Sequence, residues 1–448
     1  MRWLLPLLVL LSACRPTGPA KETFTTGGGH VRDGLGRALV LRGMNVSNAH
    51  KAPPWFDFHG PDDFLRIRRD WGFNSVRLLV EWAAVEPERG AYDAAYLDAV
   101  GERLDWAKDA GLLVVLDMHQ DLFGVGFSGG NGAPRWACAE DKYAAFTPAT
   151  PWFLGYADPA VAACFDGLWK SRELQGDYAA MWAAVAARFK DHPAVIGFDP
   201  MNEPYWGTFP TDVHERDRLG PFYETVVAKV RAQAPDWLAF IEPSSARNLG
   251  FATQLPAFGF DRVVYAPHSY NADAEAGRGF DPAARAALLD NVQKFAGEAA
   301  AWDAPVWIGE YGGTAAHPGI SEYMTAQYDA AGAIGAGQMY WDYGKNDGYG
   351  FLDPNGDEKP ALAAALVKPY PERLYGNSIT WSFDAATRKF HVSYYPVAGT
   401  SAPNELVVPD RVYPGGYAVE CGGCRYESSA GRLRVYGVVG GITLTPLD

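Results

Sequence analysis

Two glutamates stand in contexts suited to paired-carboxylate chemistry. Glu203 lies in Phe198-Asp-Pro-Met-Asn-Glu-Pro204, beside the neutral amide of Asn202, and Glu310 lies in Val306-Trp-Ile-Gly-Glu-Tyr311. Two carboxyl groups brought together push each other's proton affinities apart, so that one keeps a proton and the other ionises. Retaining hydrolysis of a glycosidic bond needs that division: an acid for the leaving oxygen, and an ionised nucleophile about 5 Å away that attacks the anomeric carbon. Arg77 and Tyr270 are expected to hold Glu310 ionised, which makes Glu310 the nucleophile and Glu203 the acid/base. Asn202 could bond the sugar 2-hydroxyl, and Trp341 would form the floor beneath the ring.

Such side chains need a scaffold that brings distant segments to one place. Eight short apolar runs recur between Leu39 and Gly344: Leu39–Val46, Ser75–Val80, Leu112–His119, Val195–Pro204, Leu238–Pro243, Val263–Tyr270, Val306–Tyr311 and Gln338–Tyr343. They lack clean polar alternation, as parallel strands buried on both faces do. Helical stretches lie between them, among them Pro61–Trp71, Ala94–Ala110, Tyr178–Lys190, Phe222–Ala234, Pro282–Ala301 and Glu322–Ala333. Eight strand–helix units predict an α/β fold, a (β/α)8 TIM barrel over residues 23–368. A doubly wound open sheet is the alternative, but no GxGxxG opens a helix after the first strand. Residues 369–448 change character, with short alternating runs and glycine turns, and predict a small C-terminal antiparallel β-sandwich.

In such a barrel, catalytic groups come from the C-terminal ends of strands. Those ends are polar here: Arg77; Asp117 and His119; Asn202 and Glu203; His268 and Tyr270; Glu310; Trp341 and Asp342. Polar strand ends can simply satisfy loop backbone, but charges at so many ends converging on one mouth would be costly without a purpose.

Asn202-Glu203-Pro204, Glu310, Arg77, His119, His268-x-Tyr270 and Trp341, taken in order, resemble glycoside hydrolase family 5 of the clan A barrels. Leu41-Arg-Gly-Met-Asn45 followed by Lys51, Leu116-Asp-Met-His-Gln-Asp121, Gly130-Asn-Gly-Ala-Pro134, Met201-Asn-Glu-Pro204 and Lys368-Pro-Tyr-Pro371 resemble the endoglycoceramidases and endogalactosylceramidases more closely. The similarity covers essentially the whole mature chain. It implies cleavage between the glycan and ceramide of glycosphingolipids, with Lys51, Asp117, His119, Asp121 and Asn202 contacting the sugar nearest the cut. Ser47–Gly60 and Tyr343–Tyr349 depart from that pattern, which leaves headgroup preference and endo or exo action open. A family 5 glycosidase of β-glucan, mannan or simple glucosyl lipids is the neighbouring alternative. A non-catalytic carbohydrate- or lipid-binding lipoprotein is the alternative of another class, though a binding module has no use for two mutually repelling carboxylates.

Residues 120–175 form a long insertion carrying ten aromatics between Phe123 and Trp169. So much apolar surface argues against disorder. The readings are a packed lid over the barrel or an apolar channel for lipid chains that meets a membrane.

At the N-terminus, Arg2 and the apolar run Trp3–Leu11 lead into Leu11-Ser12-Ala13-Cys14, which resembles a bacterial lipobox. Residues 1–14 are therefore expected to be a signal segment with Cys14 lipidated, and 15–22 a tether. An ordinary cleaved signal peptide is the alternative, so the chain is expected as a bacterial cell-envelope lipoprotein or a secreted protein. Export permits disulfides, and the remaining cysteines suggest Cys138–Cys164 and Cys421–Cys424. No second CxxC or His cluster points to zinc, the mechanism requires no metal, and no cofactor is expected. A net charge of −14 without a basic cluster excludes nucleic-acid partners. The partners expected are a glycolipid or other β-glycoside, and a membrane surface met through the lipid anchor, with the chain monomeric. The 15 Trp and 14% aromatic content suit either core or sugar-stacking surfaces.

Overall fold

The computed structural model of the chain describes residues 21–46, 51–56, 58–397 and 402–447. Cys14, the signal segment and most of the tether lie outside the described residues. An antiparallel ribbon, β1 (Thr25–Gly27), β2 (His30–Arg32) and β3 (Ala38–Leu39), precedes eight barrel strands. These are β4 (Arg42–Val46), β5 (Ser75–Glu81), β6 (Leu113–His119), β7 (Val195–Asp199), β8 (Leu238–Ile241), β9 (Val263–Tyr265), β10 (Trp307–Tyr311) and β11 (Gly337–Tyr340). They form one parallel sheet in the order β10-β11-β4-β5-β6-β7-β8-β9. Its two edges meet through bridges at Tyr265–Val306 and His268–Glu310, with the Ser269 N–H donating to the Glu310 carbonyl at 2.9 Å. The predicted barrel is thereby drawn nearly closed.

Helices wrap the outside, as at Ala94–Ala110, where Asp93 caps the first turn and Gly111, at φ 74°, ends the helix in a left-handed turn. The fourth strand differs from its expected extent: β7 stops at Asp199 instead of running to Pro204. Pro200 has no N–H to continue the ladder, and its carbonyl accepts instead from Tyr178 Oη at 2.7 Å and Trp182 Nε1 at 2.9 Å. Met201, Asn202 and Glu203 are thus released from strand geometry.

Beyond the barrel come β12 (Tyr370–Leu374), β13 (Gly376–Asp384), β14 (Lys389–Pro396), β15 (Asn404–Val407), β16 (Tyr417–Glu420), β17 (Arg425–Ser429), β18 (Arg432–Tyr436) and β19 (Gly441–Pro446). They build two sheets, β13-β14-β19-β16 and a larger β1-β2-β3-β12-β15-β18-β17. The second sheet revises the expected layout. Residues 25–39, assigned to the barrel unit, hydrogen-bond into the C-terminal sheet, β3 pairing with β12. Their inner side chains Val31 and Leu39, with the neighbouring Leu41, meanwhile join Val115, Ile196, Leu238 and Phe240 in one apolar cluster at the lower end of the barrel. Tyr328, on the helix Ile320–Ile334, is buried among Tyr370, Trp381 and Leu406, so the two units share a core.

The insertion after β6 is packed, with helices at Glu140–Ala145 and Pro159–Lys170 and a 3-10 turn at Trp152–Ala157. Phe123, Phe127, Phe165 and Trp169 are buried in the main core. Cys138 and Cys164 are bridged across it, and Cys421 is bridged to Cys424 in the C-terminal unit.

Candidate active site

Residue parity along β5 turns Arg77 into the barrel, where it is fully buried. Its Nη1 donates to Glu310 Oε1 at 2.8 Å and Asn45 Oδ1 at 3.1 Å. Its Nη2 donates to Asp199 Oδ2, Asn202 Oδ1 and Glu242 Oε1, each at 2.9 Å, and lies 2.9 Å from Asp117 Oδ1. One guanidinium therefore faces four carboxylates. Burial pushes Asp199 well above the usual carboxylate range, Glu242 adds to this and Arg77 opposes it. The sequence singled out neither Asp199 nor Glu242.

On one side of this hub, His119 Nδ1 lies 2.8 Å from Asp117 Oδ2 and its Nε2 lies 3.6 Å from Asp121 Oδ2. Burial and Lys51 lower the His119 proton affinity, but Asp117 and Asp121 outweigh them and lift it to about 9. Lys51 Nζ meets Asp121 Oδ2 at 2.5 Å and sits 4.5 Å above the Trp341 ring, which stacks on His119 at 5.3 Å and 17°. Lys51, Asp117, His119, Asp121 and Trp341 are thus one cluster, joined to the hub through Asp117. Asn202 accepts from Arg77 and donates to the Gln120 carbonyl at 3.1 Å, its second amide N–H having no partner among the described residues.

On the other side stand the two glutamates. Glu203 has φ 41°, a left-handed conformation that costs a glutamate about 1–3 kcal/mol and that surrounding contacts must impose. Glu242 supplies one such contact, its Oε2 accepting the Glu203 backbone N–H at 2.8 Å. Glu203 Oε1 lies 2.8 Å from His268 Nδ1 and accepts from Asn248 Nδ2 at 2.7 Å, whereas Oε2 has no hydrogen-bond partner among the described residues. Glu310 has both oxygens engaged, by Arg77 and by Tyr270 Oη at 2.9 Å. Side-chain atoms of Glu203, His268 and Glu310 all lie within 4.8 Å of one another. The same closeness could suit a metal ion, but each of the three is already hydrogen-bonded within the site.

The surroundings favour protonation of His268 over Glu203. Burial disfavours charge on His268, but Glu242 at 3.1 Å and Glu310 at 3.6 Å, together with Glu203, raise its proton affinity well above the ordinary value. Burial would raise Glu203, yet the hydrogen bond and charge of His268, together with the Asn248 bond, outweigh it and hold the carboxyl below its usual range. Glu310 is raised by burial, against the pull of His268 and Arg77. The simple expectation of a protonated Glu203 beside an easily ionised Glu310 is therefore modified: the surroundings lower the proton affinity of Glu203 and raise those of His268 and Glu310.

A third carboxyl borders the pair. Glu275, pushed up to about 7 by burial, accepts a hydrogen bond from Tyr349, whose ring lies 6.4 Å from that of Tyr270. Exposed apolar side chains flank the acid side. Trp152 and Leu154 are 49% and 51% exposed on the insertion, and Leu249 and Phe251 are 68% and 56% exposed after β8. Tyr156, on the same turn as Trp152, packs on Tyr205 at 5.1 Å, two residues from Glu203.

Against known proteins, the family model for cellulase (glycosyl hydrolase family 5) matches residues 33–347, and the glycoside hydrolase family 5 C-terminal domain matches 368–439. Endoglycoceramidase I of Rhodococcus hoagii is 30% identical over 437 residues, covering 91% of this chain and 84% of that protein. The structure of endo-glycoceramidase II from Rhodococcus sp. as its lactosyl-enzyme intermediate superposes with a TM-score of 0.83 at 31% identity, covering 94% of this chain and 100% of that one. A crystal structure of endogalactoceramidase gives 0.75 at 26% identity, over 95% of this chain and 100% of that one.

Proposed function

Because the chain belongs to glycoside hydrolase family 5, we propose that it hydrolyses the bond between glycan and ceramide in glycosphingolipids by double displacement, with Glu310 as nucleophile and Glu203 as acid/base. The observation that carries this reading is the unequal setting of two carboxyl groups within 4.8 Å. Both oxygens of Glu310 are fixed by donors that favour its ionised form, while Glu203 Oε2 has no hydrogen-bond partner among the described residues. Carboxyl oxygens no more than 4.8 Å apart suit the short separation of a retaining pair.

In the first step a Glu310 oxygen attacks the anomeric carbon, the glycosidic C–O bond breaks, and the ceramide oxygen takes a proton from Glu203. In the second step water attacks the same carbon, passes its proton to Glu203, and Glu310 leaves as carboxylate. The first proton comes from the pair formed by Glu203 and His268. An apolar aglycone desolvates Glu203 and moves that proton onto the carboxyl. Lys51, Asp117, His119, Asp121 and Asn202 bind the sugar nearest the cut, above Trp341. Exposed Trp152, Leu154, Leu249 and Phe251 favour a lipid aglycone on the Glu203 side over a soluble glucan.

Incubation with glucosylceramide, lactosylceramide, a ganglioside and carboxymethyl cellulose tests the reading. Free ceramide together with intact glycan, first released as the β-anomer, is the expected result; release from carboxymethyl cellulose alone would reject it. The chain is further proposed to act at the cell envelope, exported and anchored through Cys14. Radiolabelled palmitate should enter the wild type and not Cys14→Ala; equal labelling of both would reject the anchor.

A further inference from the structure

Glu203 Oε1 has two partners, and only one comes from the barrel interior. His268 follows β9, whereas Asn248 sits at the exposed end of the 3-10 turn Ser245–Leu249 after β8. The first half of that segment is anchored by buried Arg247, which donates to Glu298 at 3.0 Å and Asn291 at 2.9 Å, whereas Leu249 and Phe251 beyond it are exposed. The ends of the segment converge on one buried carboxylate. Glu215 Oε1 accepts from the Ser244 N–H at 2.8 Å and the Ser244 hydroxyl at 2.9 Å. Glu215 Oε2 accepts from the Thr253 hydroxyl at 2.9 Å and from the Gln254 N–H. Glu215 opens a π-helical stretch, Glu215–Leu219, an irregularity found where a helix must aim a particular side chain. A further bond runs from the Ser245 N–H to the Pro204 carbonyl at 3.0 Å and fastens the turn to the residue after Glu203.

We propose that residues 244–254 form a positioning strap for the acid/base: Asn248 orients the Glu203 carboxyl so that Oε2 faces substrate, and Glu215 clamps the strap at both ends. This rests on the reading of Glu203 as acid/base. An amide N–H donates better to a carboxylate than to a carboxylic acid, so Asn248 also lowers the proton affinity of Glu203. His268 acts in the same direction. Asp121, Glu310 and Glu275 oppose both as like charges, and Glu242 engages only the backbone N–H. Asn248 is the uncharged donor of the set, and its place on the surface lets it be changed without touching the core.

The test compares wild type, Asn248→Ala and Glu215→Gln on two aryl β-glycosides, a phenyl glycoside and a 2,4-dinitrophenyl glycoside, across pH. For Asn248→Ala, kcat/KM on the phenyl glycoside should fall roughly fivefold, the scale of one hydrogen bond, and its basic limb should move to higher pH. Activity on the dinitrophenyl glycoside, whose leaving group needs no acid, should change less than twofold. Glu215→Gln should shift the basic limb the same way, and combining the two should add little. Equal losses on both glycosides with an unmoved limb in Asn248→Ala would overturn the proposal, whether or not Glu215→Gln folds. If the wild type cleaves neither glycoside, the glycosidase reading fails instead, and the two failures are distinct.

Discussion

His268 Nδ1 lies 2.8 Å from Glu203 Oε1, so the acid/base reaches its substrate already paired with a base stronger than itself. The pair loses its proton as a unit, and the apparent value belongs to both groups. Because surrounding carboxylates raise His268 well above its ordinary value, the basic limb of kcat/KM should lie above neutrality. In His268→Asn the proton rests on Glu203 alone, and the limb should fall to lower pH, with roughly a 10²-fold loss on glycosides that need acid assistance. A limb that stays in place would show that His268 does not share the proton.

Glu310→Gln should abolish turnover, leaving less than about 10⁻⁴ of wild-type kcat. Glu203→Ala should keep substantial activity on dinitrophenyl glycosides and accumulate a glycosyl-enzyme, visible as added mass on the intact protein. Equal loss on activated and unactivated substrates in Glu203→Ala would void or reverse the two roles.

Arg77 is the counter-charge for Asp117, Asp199, Glu242 and Glu310 in a fully buried setting. Arg77→Met should destabilise the fold by about 3–5 kcal/mol, because it strands buried charges rather than because the ion pairs were strong. Urea unfolding measures this; a change below about 1 kcal/mol would mean that the carboxylates protonate at little cost.

The Cys138–Cys164 bridge closes a loop with a sequence separation of 26. Replacing both cysteines by serine should cost about 3 kcal/mol on the chain-entropy scale. Cleavage within residues 139–163 by limited proteolysis should become faster, while the barrel stays resistant. Unchanged cleavage would show that aromatic packing alone holds the insertion.

The barrel was legible because buried parallel strands are short and largely apolar, and eight of them alternated with helical stretches. The strand-end rule then located Asp117, His119, His268, Glu310 and Trp341, whereas Arg77 lies inside β5. The rule would also have found Glu242, which directly follows β8, had Ile241-Glu-Pro243 been read the same way as Asn202-Glu-Pro204. The overlong fourth strand carried its own correction in Pro200. Asn248 and Glu215 left no such trace. A surface amide and a helical carboxylate acquire meaning only when the fold brings them to Glu203 and to Ser244. The pairing of residues 38–39 with 373–374 was equally hidden, since strand partnership at that separation depends on three-dimensional closure rather than on local pattern.

That pairing fixes an order of events during synthesis. The ribbon at residues 25–39 leaves the ribosome first, but the strand it must join, β12, emerges only after every barrel strand has been made. Until then the lower mouth of the barrel lacks the finished sheet that seals it. Nascent chains should therefore stay soft to protease until nearly their full length is out, and premature stops before residue 370 should yield chains that are cleared rather than smaller working enzymes.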